Sequence, residues 1–81
     1  MNPHRPRIVK IAWFDSCGIV PIWENRDAIE SLPPVLNCSV GYLWESTKDH
    51  VTIAQSLHRD QIGRRFTIPR GCIHKMKTVA R

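Results

Sequence analysis

Three closely spaced strand-like runs, residues 39–46, 50–57 and 64–69, constrain this chain more than any other feature of it. Each is rich in β-branched and aromatic residues, and the gaps between them have turn length. The third run breaks at Pro69 and Gly71 before a final short run at 73–79. Proline has no amide hydrogen to give to a ladder, so pairing stops there, and Pro69-Arg70-Gly71-Cys72 suits a single 3-10 turn. Strands joined by such short turns pair antiparallel. The spacing therefore predicts an all-β fold, a small five-stranded antiparallel barrel of the kind used mostly for binding.

The remaining elements fit that plan. Residues 1–7, with Pro3 and Pro6, read as an extended arm, and residues 8–81 as a single domain. Val9, Ile11 and Trp13 fall on one side of a first strand and Lys10 on the other, and Asp15-Ser16-Cys17-Gly18 closes it with turn-forming residues. The stretch 19–37 is a long loop. Within it Asn25 can cap one or two helical turns over 26–32, with Ala28, Ile29 and Leu32 on one side, until Pro33-Pro34 stops them. The second strand spans 38–45, with Gly41 inside it as the mark of a bend or close backbone approach. In the third strand Val51, Ile53 and Leu57 share a face with Gln55. In the fourth, residues 64–68, Phe66 and Ile68 point inward and Arg65 outward.

At 81 residues the chain is near the size at which one hydrophobic core is only marginally sufficient. No apolar run approaches the ~20 residues that span a bilayer, and the basic residues of 1–10 are not followed by an apolar stretch of signal-peptide type, which points away from secretion. Three widely spaced cysteines, Cys17, Cys38 and Cys72, suit reduced thiols in a cytosolic setting better than a disulfide framework.

The net charge of +5 is unevenly placed. Residues 1–14 carry Arg5, Arg7 and Lys10 with no acid. Residues 15–58 carry Arg26 and Lys48 against Asp15, Glu24, Asp27, Glu30, Glu45 and Asp49. Residues 59–81 carry Arg59, Arg64, Arg65, Arg70, Lys75, Lys77 and Arg81 against Asp60 alone. If the first and last strands lie side by side, these basic ends meet. Arg7, Lys10, Arg65, Lys75 and Lys77 then lie near one another, opposite an acidic long loop.

The order of elements, with a long first loop carrying a short helix and a 3-10 turn before the last strand, resembles SH3-like small barrels. Sm-like ring proteins share it. Gly41 followed by Leu43 is similar to the bent second strand of the Sm-like fold, and Arg70-Gly71-Cys72-Ile73 falls where its RNA-contacting turn lies. Gly71 stands where that site has histidine, and no N-terminal helix precedes the first strand, so this resemblance implies topology alone. A second resemblance rests on Val9-Lys10-Ile11-Ala12-Trp13-Phe14-Asp15-Ser16, Ser39-Val40-Gly41-Tyr42-Leu43, Val51-Thr52-Ile53-Ala54-Gln55-Ser56 and Ile68-Pro69-Arg70-Gly71-Cys72-Ile73. These blocks, spread over most of residues 8–79, resemble a family of small bacteriophage and prophage proteins. That resemblance implies action in the cytoplasm of an infected or lysogenic bacterium, and it supplies no activity or functional residue.

Catalytic and metal chemistry find little footing. His4, His50, His58 and His74 with the three cysteines form no Cys-x-x-Cys or His-x₃₋₅-His pair, the spacing that lets one turn present two ligands to zinc. Cys17 has no histidine close in sequence to activate it, and Gly18, Gly41, Gly63 and Gly71 are too dispersed for a phosphate loop. The expectation is a non-enzymatic protein without cofactor or metal. Arg7, Lys10, Arg64, Arg65, Arg70, Lys75 and Lys77 are its candidate phosphate contacts, and Tyr42 and Trp44 its candidate stacking residues for single-stranded nucleic acid or a nucleotide. The rival reading is an inhibitor or adaptor of a host protein, such as a host-defence component, anchored by Ile22 and Trp23 in loop 19–37. A homo-oligomer built through strand edges is compatible with both.

Overall fold

Alternation along the first strand locates the core. In β1 (Ile8–Asp15) Val9 and Ile11 are fully buried and Trp13 is half-buried, while Lys10 between them is exposed. The computed structural model describes residues 6–16 and 23–80. After β1 come β2 (Val35–Ser46), β3 (His50–Leu57), β4 (Ile62–Pro69) and β5 (Ile73–Ala80), with the anticipated 3-10 turn at Arg70–Cys72. All pairings are antiparallel, in one sheet of order β4-β3-β2-β1-β5. β2 begins three residues earlier and β4 two residues earlier than expected, because Val35, Leu36 and Asn37 pair with Asp15, Phe14 and Trp13, and Ile62 and Gly63 with Leu57 and Ser56.

The first and last strands do lie side by side, from Ile8↔Ala80 to Trp13↔Ile73. The sheet is not closed, however. The turn at Arg70–Cys72 carries the chain from one edge to the other, and β4 and β5 share no ladder. The sheet instead curls around a common core. Val9 and Ile11 of β1 cluster with Val51 and Ile53 of β3 and Ile68 of β4, and Trp13, Leu43, Cys72, Ile73 and Met76 pack against them. Each fully buried aliphatic side chain contributes about 1.5–3 kcal/mol.

β2 is long because it serves two partners. Its first part pairs with β1, from Asp15↔Val35 to Ile8↔Tyr42, and its last part with β3, from Tyr42↔Ala54 to Ser46↔Val51. Only Tyr42 is paired on both sides. Next to it, a Cβ on Gly41 would meet the Ala54 carbonyl oxygen at 2.9 Å and the Ile53 Cβ at 3.2 Å, so glycine lets β3 cross at that point. A bulge follows between Leu43 and Glu45, leaving Trp44 without a cross-strand partner.

Three expectations are corrected. The helix over 26–32 is a single 3-10 turn, Arg26–Ala28, closed by Ala28 N–H donating to the Asn25 carbonyl at 3.1 Å and without a side-chain cap. Leu57 and Gln55 are exposed although Val51 and Ile53 on their face are buried, because β3 runs on beyond Ala54, where its pairing with β2 ends. On the opposite face Thr52 and Ala54 are buried, the Thr52 hydroxyl lying 2.7 Å from that of Thr67. Phe66 faces the core side but remains 40% exposed. Just before β1, the Arg7 carbonyl accepts a hydrogen bond from the Leu43 amide at 2.7 Å. Among the described residues no helix is long and apolar enough to cross a membrane.

Candidate functional site

The anticipated convergence of basic residues is realised in part. Lys10 stands directly opposite Lys77, and the next pair on the same face is Ala12↔Lys75. These four residues line a groove of about 250 Å³ on the face away from the core. Like charges opposite one another in a ladder are unfavourable by a few tenths of a kcal/mol to about 1 kcal/mol. Among the described residues the single ion-pair geometry is His50 Nε2 at 2.9 Å from Glu45 Oε1, so no carboxylate relieves the lysines. An anion in this groove would.

Arg65 does not join that groove. With Arg64 it borders a second, larger concavity of about 570 Å³, lined also by Cys38, Ser39, Val40, Ile53, Gln55 and Phe66. This cleft follows from the change of partner in β2. Beyond Tyr42↔Ala54 the two strands diverge, so residues 38–40 of β2 and Gln55 of β3 face each other across a gap instead of a ladder. Its size lies within the roughly 300–1,000 Å³ of small-molecule sites. The wall is firm: Phe66 packs on Trp13 with ring centroids 5.3 Å apart, and the Trp13 Nε1–H donates to Ser39 Oγ at 2.9 Å.

Arg64 is the single described non-glycine residue with a positive φ, 56°. The left-handed region costs an L-residue roughly 1–2 kcal/mol and recurs at sites where a side chain must be aimed. Here it falls between the Ala54↔Arg65 and Ser56↔Gly63 pairs, turning Arg64 at the rim of the cleft.

No protein-family model, curated protein or solved structure matches the chain.

The other candidates are dispersed. Arg70 is engaged by the β2–β3 hairpin: its Nε donates to the Thr47 carbonyl at 2.9 Å, its guanidinium to Ser46 Oγ at 2.6 Å, and its amide to the Asp49 carbonyl at 2.9 Å. Arg7 borders neither concavity. Tyr42 is half-buried and Trp44 exposed at its bulge, and neither lines the cleft or the groove. The aromatic ring at the cleft is Phe66, which the sequence reading assigned to the core; its place directly after Arg64 and Arg65 was the available signal. Ser39 and Gln55 carried none, because their role depends on where β2 and β3 part.

Trp23 is 90% exposed, and Ile29, Leu32, Val35 and Leu36 after it are exposed too. Ile22 and Cys17 lie outside the described residues. Cys38 is exposed and Cys72 half-buried. Among the described residues no group of three or more His, Cys, Asp or Glu side chains is placed to hold a metal ion.

Proposed function

We propose that this is a non-enzymatic binding protein for a phosphate-bearing ligand, single-stranded nucleic acid or a nucleotide. In keeping with the phage-protein resemblance, it acts in the cytoplasm of an infected or lysogenic bacterium. One observation carries the reading: five cations, Lys10, Lys75, Lys77, Arg64 and Arg65, border two concavities with no acidic partner among the described residues. Arginine offers phosphate a planar fork of donors, and lysine a compact charge. The β1–β5 pairing and the curl of the sheet support an SH3-like or Sm-like small barrel. The unpaired outer edges of β4 and β5 support a homo-oligomer.

The test is a salt titration of binding to a fluorescein-labelled single-stranded oligonucleotide. Affinity falls linearly on a log–log plot, and Arg65→Ala and Lys75→Ala each reduce the slope by about 0.7. Absence of binding at low salt removes the reading.

A second reading has its own support. The exposed Trp23, with Ile29 and Leu32 beyond it, is an apolar segment of the kind that anchors a protein interface, here with a host protein such as a defence component. One host protein retained on the immobilised chain after nuclease treatment, and lost with Trp23→Ala, would favour it.

A further inference from the structure

We infer that the cleft between β2 and the β3–β4 hairpin is a nucleobase pocket, which takes one base of a nucleotide while the phosphates lie toward Arg64, Arg65 and the lysine groove. The inference rests on the phosphate-binding reading and adds to it that the protein distinguishes bases.

Charge alone would give an open cationic surface with no need of a cavity. The cleft contains what a base requires. Phe66, at 40% exposure, lines it, and Trp13 packs against that ring in a tilted arrangement with centroids 5.3 Å apart. A base stacks on such a platform regardless of its identity. Identity is read by hydrogen bonds to the edge of the base, and single-stranded bases are read in this way by exposed protein groups. Residues 38–40 supply main-chain groups on the side of β2 that β3 has left. Gln55 adds an amide with both donors and an acceptor, and Ser39 a hydroxyl oriented by the Trp13 indole.

The two concavities border the same β1–β2 ladder. Cys38 and Val40 line the cleft, and their direct partners across the β1–β2 ladder, Ala12 and Lys10, line the lysine groove. Directly opposite residues in an antiparallel pair are separated by about 4.5–5.5 Å. One strand spacing therefore separates the backbone positions of Cys38 and Val40, which border the base pocket, from those of Ala12 and Lys10, which border the lysine groove.

Fluorescence anisotropy with labelled single-stranded hexamers tests the pocket. Four homopolymers are compared with an abasic hexamer carrying the same phosphates, and unlabelled mononucleotides serve as competitors. The expected result is binding about tenfold weaker for the abasic strand and a several-fold preference among the four bases. Phe66→Leu, which keeps an apolar side chain but removes the ring, abolishes both differences. Gln55→Ala, at an exposed position that leaves the fold intact, changes the order of base preference, whereas Lys75→Ala weakens all strands alike. Competition by one mononucleotide identifies a free nucleotide as the ligand, and competition by hexamers alone identifies a base within a strand; both support the pocket. Equal binding of abasic and base-bearing strands overturns the pocket and leaves the phosphate reading standing. Binding of neither at low salt overturns both.

Discussion

Trp13 on β1 and Phe66 on β4 meet at 5.3 Å between ring centroids, tilted by 56°, although two whole strands separate β1 from β4 in the sheet. This contact spans the curl that no hydrogen-bonded ladder completes. It couples the core to the cleft, because the same Phe66 ring forms the cleft wall. A double-mutant cycle with Trp13→Leu and Phe66→Leu, followed by urea unfolding, is expected to give a coupling energy of about 0.5–1.5 kcal/mol. Strict additivity would mean that the two rings do not stabilise the curl through each other.

Gly41 is the point at which β2 exchanges one partner for another. Adding a methyl group there places it 2.9 Å from the Ala54 carbonyl oxygen, a backbone atom that cannot swing aside. Gly41→Ala is expected to destabilise the fold by about 1–3 kcal/mol in denaturant unfolding. The loss should exceed that of Gly71→Ala, where a Cβ would meet nothing within 4 Å.

Arg64 separates stability from function. Glycine adopts φ near 56° without the Cβ clash that arginine bears, and loses some chain entropy in exchange. Arg64→Gly should therefore leave the melting temperature unchanged or raise it, by up to about 1 kcal/mol in stability, while weakening oligonucleotide binding. A clear loss of stability would show that the arginine side chain supports the fold itself.

Arg70 invites the opposite prediction. Its guanidinium ties the β4–β5 turn to the β2–β3 hairpin through Thr47 and Ser46, and both partners are on the exposed side of the fold. Arg70→Ala is expected to cost about 1 kcal/mol of stability and to change the salt slope of binding far less than Arg65→Ala. A slope reduced equally by the two variants would return Arg70 to the ligand site.

Much of this fold was legible along the chain. Period-2 alternation in Val9, Ile11 and Trp13, the breaks at Pro69 and Gly71, and the turn-length gap between residues 46 and 50 each depend on a few neighbouring residues. Thr47 closes its turn locally, its Oγ1 accepting from the Asp49 and His50 amides at 3.2 and 3.1 Å. The pairing of Lys10 with Lys77 was foreseeable in kind once the first and last strands were placed together. The cleft was not legible. Ser39, Gln55 and Phe66 belong to three strands, and each reads as an ordinary alternating position.

The sequence by itself determined five strands, their turns and a chain with basic ends, because pattern, proline and turn chemistry act over a few residues. The tertiary structure alone decided which cations meet and where the sheet opens. Those outcomes depend on register between distant strands: the crossing of β3 over Gly41 and the bulge at Trp44 set where β2 and β3 part. That parting, together with the curl that brings Phe66 onto Trp13, forms the cleft beside Arg64 and Arg65 and leaves the three lysines in a groove of their own.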